Sequence, residues 1–303
     1  MARDPLAPVL NVMDDQARAR LIRRFGEGVA AWCDDLPALV ARLSERWGLT
    51  VVDTKPGNTG RTLICEGDDG AKKVLKLTPD HSIAESEAAA LRAWDGCSRV
   101  AQVLATEIAD GAILLEGIDP GTQLSEAADV PWADVGDLLT QIHAVTPPPG
   151  FSTLEDRVVF MYDLAERGLR GSVAEAALSM ETLDRARLRA LALATDGVGN
   201  AIVHGDLHPG NVLDGGPGRG AVAIDPRPSV GDPSFDLADW VTLPMRDGGT
   251  LEDGFDAIAP HLPGFDAERV HAWCVALSPL FVMRPLERGE RTPFVEAMLS
   301  FCR

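Results

Sequence analysis

The sequence predicts an α+β chain of two lobes, a five-stranded antiparallel sheet with helices followed by a mostly helical lobe. Three observations carry that expectation. Between Leu49 and Glu116, short apolar runs alternate with Gly- and Asp-rich turns, the pattern of strands. Beyond Trp132 the apolar residues recur at helical spacing over longer stretches. Between these regions Gly117, Pro120 and Gly121 make a hinge, so the expected domains are 1–117 and 118–303.

The elements follow in order. In Asp14 to Arg46, Ala17, Leu21, Ile22 and Phe25 recur at helical spacing, and Leu36, Leu39, Val40 and Leu43 do so beyond Asp34-Asp35. Residues 1–48 therefore read as a helical extension packed on the sheet of 49–117. Leu49–Val52, Thr62–Cys65, Val74–Leu77, Val103–Ile108 and Ala112–Glu116 are the five strands, with a helix over 83–94. Helices are expected over 132–145, 154–169, 173–193, 251–259, 266–283 and 294–301. Leu213 and Ala221–Ile224 form a small hairpin.

Composition excludes several classes. The net charge of −18 argues against a nucleic-acid partner, because phosphate backbones attract Lys and Arg. No apolar run approaches the roughly 20 residues of a membrane helix. Met1 to Leu10 carries Asp4 and two prolines where a signal peptide needs an apolar core. A soluble, cytoplasmic protein is expected, with a monomer as the expected state. Five widely spaced cysteines without a CxxC pair argue against a disulfide framework or a zinc site. The charge is uneven: residues 1–117 carry −4 and residues 118–303 carry −14. Such a field raises the local concentration of a cationic small molecule, or it is a solvated acidic surface serving solubility.

The chemistry concentrates in His204-Gly205-Asp206-Leu207-His208-Pro209-Gly210-Asn211, between the apolar runs Ala201–Val203 and Val212-Leu213, with Ile224-Asp225-Pro226 further on. These residue types suit phosphoryl transfer, where catalysis is mainly positioning and neutralisation of phosphate charge. Asp206 can receive a hydroxyl proton; the side-chain oxygens of Asn211 and Asp225 can hold Mg²⁺, which prefers hard oxygen ligands. The spacing of five from Asp206 to Asn211 equals that of the protein-kinase catalytic loop. His204 and His208 read as loop scaffolding. Asp232, before Pro233, reads as a helix N-cap.

Upstream, Lys76 is a charge inside the apolar strand Val74-Leu75-Lys76-Leu77, costly to bury without a partner. Glu87 on the following helix is the partner of choice; Glu85 lies roughly 200° away round a helix turning about 100° per residue. Lys72 and Lys73, beside the turn, are expected to be solvated. The connection holding Gly57, Thr59 and Gly60 reads either as a cover binding nucleotide phosphates through backbone N–H groups or as a plain turn.

The loop motif, Ile224-Asp225-Pro226 and Gly231-Asp232-Pro233-Ser234-Phe235-Asp236-Leu237-Ala238 together resemble the aminoglycoside phosphotransferase family, most of all its streptomycin and hydroxyurea branch. That resemblance implies a protein-kinase-like fold, ATP and Mg²⁺ as cofactors, and a small-molecule acceptor, expected to be cationic. It implies Asp206 as the base, and Lys76 with Glu87 at the nucleotide phosphates. It further implies Glu116 carbonyl and Ile118 N–H at the adenine, and acids near Asp232 and Asp236 that brace the loop. Asp247, Glu252, Asp253 and Asp256 read either as acceptor-binding acids or as helix N-terminal charges. Hydroxyurea, or a metabolic sugar or amino alcohol, is the alternative acceptor, and a nucleotide-binding pseudokinase is the alternative class.

Overall fold

The computed structural model describes residues 11–303. Met1 to Leu10, expected from their Asp4 and prolines not to form a signal peptide, lie outside the described residues. The chain divides into two compact units, one of residues up to Asp95 plus Ala101–Gly121, the other of Gly96–Val100 plus Thr122–Arg303. Residues 118–121, expected in the helical lobe, stay with the sheet. The reason is local: Gly117 N–H donates to the Lys72 carbonyl at 2.9 Å and Lys72 Nζ donates to the Ile118 carbonyl at 2.7 Å.

The first unit opens with α1 (Asp15–Phe25) and α2 (Ala30–Trp47), then β1 (Leu49–Lys55), β2 (Arg61–Gly67), β3 (Lys72–Leu77), α3 (His81–Ala93), β4 (Val103–Glu107) and β5 (Ala112–Glu116). The five strands form one antiparallel sheet in the order β1-β2-β3-β5-β4. Leu36, Val40 and Leu43 of α2 pack on Leu63, Cys65, Leu75, Leu77 and Leu114, so the extension covers one face of the sheet. Side chains alternate along a strand. Lys76, between the buried Leu75 and Leu77, therefore projects from the opposite face.

One helical boundary differs from expectation. The break falls at Gly26, and α2 runs straight through Asp34-Asp35. Both acids lie on the exposed side of α2, where Asp34 accepts from Arg18 at 2.6 Å rather than capping a helix.

The second unit contains α4 (Trp132–His143), α5 (Leu154–Leu169), α6 (Met180–Thr195), β6 (Ala201–Val203), β7 (Val212–Asp214), β8 (Ala221–Ala223), β9 (Ser229–Gly231), α7 (Ala238–Val241), α8 (Leu251–Ile258), α9 (Ala267–Glu287) and α10 (Pro293–Phe301). The single helix expected over 173–193 is instead a 3-10 turn at Val173–Ala176 followed by α6. Ser179 ends the turn and caps α6 by accepting from Thr182 N–H at 3.1 Å. The β7–β8 hairpin forms as expected. The β6–β9 ladder was not expected, since Ser-Val-Gly is too short to signal a strand.

Tyr162, Trp240 and Trp273 are fully buried in this unit. All five cysteines are free. Among the described residues no helix is long and apolar enough to cross a membrane.

Candidate active site

In the second unit β6 delivers the chain into the His204–Asn211 loop, and hydrogen bonds fix that loop from several sides. Asp236 is buried, and its carboxylate accepts from His204 N–H at 2.7 Å, Gly205 N–H at 2.9 Å and His143 Nε2 at 2.9 Å. Arg227 N–H donates to the His204 carbonyl at 2.8 Å. Gly205 sits at φ +76°, and a Cβ there would lie 2.0 Å from the Arg227 carbonyl oxygen. Only glycine fits so close an approach in the left-handed region.

Further along, His208 Nδ1 accepts from Gly210 N–H at 3.1 Å and caps the 3-10 turn Pro209–Asn211. Asn211 Nδ2 donates to the Asp206 carbonyl at 2.9 Å and to Asp206 Oδ2 at 3.2 Å. The amide nitrogen is thereby committed to Asp206, so the amide oxygen is the end suited to a cation. Ile224 N–H donates to the Asn211 carbonyl at 2.9 Å, which ties the segment bearing Asp225 to the loop. Asp225 has φ 61°. Its side chain is 36% exposed and pairs with Arg227 at 3.2 Å. A left-handed Asp is uncommon, and backbone strain of this kind clusters at functional sites. Asn211 and Asp225 lie on two tied segments, and an amide oxygen with a carboxylate is a hard-oxygen donor set of the kind that fits Mg²⁺.

The electrostatics of this loop follow from burial. Burial lowers the His204 pKa against the pull of Asp236 and Asp206, which keeps the ring neutral as scaffolding. Burial pushes the Asp236 carboxyl up, but hydrogen bonding and charge from His143, together with the Gly205 N–H, outweigh it and hold the group below the usual carboxylate range. Asp239, which the sequence reading passed over, is pushed up to about 6 by burial and by Asp206 and Asp236, against His208 and Arg246.

Asp232 accepts from Ser234 N–H at 2.9 Å, as an N-cap should. It also takes Arg269 Nε at 2.5 Å and Trp273 Nε1 at 2.6 Å. Of the later acids, Asp253 forms a capping box with Thr250, accepting from Thr250 N–H at 2.7 Å. That favours the helix-terminal reading for this residue.

In the first unit Lys76 Nζ donates to Glu87 Oε1 at 2.5 Å. The Glu87 side chain is 3% exposed and the Lys76 side chain 19%, whereas Glu85 is exposed. Glu87, and not Glu85 on the other side of the helix, is therefore the partner of Lys76. Replacing Lys76 with Met leaves Glu87 buried without this cation, and breaking such a pair costs about 3–5 kcal/mol when both partners are buried. The expected result is a first unit that melts earlier, together with a raised KM for ATP. Thermal unfolding and initial-rate kinetics measure the two effects.

In the Lys55–Gly60 connection Thr59 carbonyl accepts from Thr78 Oγ1 at 2.7 Å, and a Cβ on Gly60 would lie 2.1 Å from the Leu77 carbonyl oxygen. The tip is pinned back on β3, and Gly60 has a packing reason to be glycine. Gly57 approaches Gly60 across the turn. At the other end of the sheet Glu116 N–H donates to the Gln102 carbonyl at 3.0 Å, its side chain accepts from Gln102 N–H at 2.8 Å, and Ile118 is buried. Neither neighbouring lysine is merely solvated: Lys72 holds the Ile118 carbonyl, and Lys73 pairs with Asp69 at 3.1 Å with its side chain 17% exposed.

The family model for aminoglycoside/hydroxyurea antibiotic resistance kinases matches residues 46–289. A hydroxyurea phosphotransferase of Kitasatospora aureofaciens is 32% identical, over 89% of this chain and 78% of that protein. A streptomycin 6-kinase of Streptomyces glaucescens is 34% identical, over 75% of this chain and 73% of its own. Among solved structures, choline kinase LicA from Streptococcus pneumoniae superposes with a TM-score of 0.62 at 14% identity, covering 88% of this chain and 96% of that one. LicA in complex with AMP gives a TM-score of 0.61. The fold is thus the protein-kinase-like one. With residues 46–289 matched by the family model and relatives above 30% identity over most of the chain, this chain belongs to the aminoglycoside/hydroxyurea antibiotic resistance kinases and is a phosphotransferase.

Proposed function

We propose that the protein transfers the γ-phosphate of ATP to a hydroxyl of a cationic aminocyclitol antibiotic such as streptomycin. The observation that carries the chemistry is the Asp206–Asn211 pairing in a loop braced by Asp236. The observation that favours a cationic acceptor is the −14 charge of residues 118–303.

In this reading Asp206 accepts the hydroxyl proton as the hydroxyl oxygen bonds to the γ-phosphorus and the bond to the departing ADP breaks. Asn211 and Asp225 would hold Mg²⁺, which when bound supplies charge neutralisation to the phosphates. Lys76, oriented by Glu87, supplies a further positive charge to the donor phosphates. Gly57, Thr59 and Gly60 cover those phosphates, and the Glu116 and Ile118 backbone meets the adenine.

Hydroxyurea is the second reading, supported by a relative aligned over 89% of the chain. Acceptor-dependent ADP release across aminoglycosides, hydroxyurea and amino sugars, with mass spectrometry for one added phosphate, tests both. Ionic strength separates them further. Exposed charges are largely screened beyond about 8 Å at physiological salt, so KM for a dicationic acceptor should rise with added salt while KM for neutral hydroxyurea stays nearly flat. A flat KM for streptomycin would remove the electrostatic argument.

A further inference from the structure

We propose that Arg157 is a positioning residue for the catalytic loop, clamping the Gly205–Asp206 peptide by its carbonyl while Asp236 holds the Gly205 N–H. The inference rests on the phosphotransfer reading only for its kinetic consequence. One guanidinium reaches one carbonyl twice: Arg157 Nε donates to the Gly205 oxygen at 3.1 Å and Nη2 donates to it at 2.8 Å. The Gly205 N–H donates to Asp236 at 2.9 Å. Gly205 is therefore held through both its donor and its acceptor, and the peptide plane next to Asp206 has little freedom to rotate. A planar, preformed fork suits that task better than a flexible ammonium.

The root of Arg157 is registered to the same strands as the loop. It lies in the first turns of α5, which starts with a capping box in which Thr153 N–H donates to Asp156 at 3.0 Å and Asp156 N–H to Thr153 at 3.1 Å. Val230 N–H donates to the Ser152 carbonyl at 2.9 Å, which ties the segment before α5 to β9. β9 in turn pairs with β6, with Val203 opposite Ser229. Val203 is the residue immediately before the loop. The guanidinium also lies 5.8 Å from the centroid of the Phe160 ring one turn along α5, which limits its other rotamers.

A clamp of this kind acts on rate more than on folding. Side-chain placement governs phosphoryl transfer, and a displacement of about 1 Å can cost on the order of 10²-fold. A half-buried arginine on one carbonyl contributes far less to the stability of the whole unit.

The test compares Arg157→Met and Arg157→Lys with the wild type. In the Met variant kcat should fall about 10- to 100-fold with KM for ATP within about two-fold and the thermal midpoint close to wild type. Hydrogen exchange of the 204–211 amides should speed up. The Lys variant should recover part of kcat, since it keeps one donor and the charge. Unchanged kcat in the Met variant, or unchanged exchange across 204–211, overturns the proposal. Should the Met variant fail to fold, the Lys variant decides: reduced kcat at a native midpoint supports the clamp, and wild-type kcat refutes it. The exchange arm needs no acceptor, so a wild type that phosphorylates none of the panel would defeat the acceptor reading while the clamp is still judged.

Discussion

Asp206→Ala is expected to lower kcat by at least about 10²-fold, the low end of general-base contributions, while nucleotide binding stays close to wild type. The geometry explains why the loss falls on chemistry. Asn211 Nδ2 loses its 3.2 Å contact to Asp206 Oδ2 but keeps the 2.9 Å bond to the Asp206 carbonyl, so the loop retains its internal tie. Asp236 holds the residues before Asp206 by main-chain groups that the substitution does not touch. Acceptor-dependent ADP release gives kcat, and a nucleotide titration gives the affinity. A variant retaining wild-type turnover would remove Asp206 from the role of base.

Asp236→Ala should produce the largest loss of stability. The substitution orphans the His204 and Gly205 N–H groups and the His143 ring nitrogen. Each buried donor left without a partner costs about 1–3 kcal/mol, so the two main-chain groups together cost about 2–6 kcal/mol. At about 2–4 °C per kcal/mol for a unit of this size, thermal denaturation resolves the change readily. Asp236→Asn, which keeps one acceptor oxygen, should fall between.

The pH dependence has a definite sign. Burial raises the Asp236 carboxyl, and the His143 hydrogen bond and the neighbouring positive and N–H groups more than reverse this, so its folded pKa lies below the unfolded value of about 3.9. Its contribution is present above about pH 3.9 and is lost as pH falls towards the folded value. The gap in stability between wild type and Asp236→Ala should therefore be widest near neutrality and should narrow in acid. A gap independent of pH would mean that Asp236 acts as a neutral group.

The parts of the site that were legible in the sequence are those encoded by local spacing. Five residues separate Asp206 from Asn211 along one loop, and the two do meet. The choice of Glu87 over Glu85 needed only strand alternation and helical phase, and the Lys76–Glu87 distance agrees with it. Asp232 as an N-cap needed only the following proline and a short helix start. Where a glycine or an acid pair had several structural uses, periodicity gave the wrong boundary, as at Gly26 and Asp34-Asp35.

By itself, then, the sequence determined the fold class, the five strands of one antiparallel sheet with a helical extension packed on it, and the oxygen-bearing loop, because each rests on residues close together in the chain. The family resemblance pointed to acids of the Asp232–Asp236 stretch as braces, but only the tertiary structure decided which groups hold that loop. Arg157 lies 48 positions before Gly205 and Asp236 lies 31 after it. Neither separation has a periodicity to betray it, and each partner is selected by which side chain the β6–β9 ladder and α5 bring beside one peptide group. Hydrogen-bond demand at a buried backbone exists only once the backbone is buried, so no one-dimensional pattern can announce who will satisfy it.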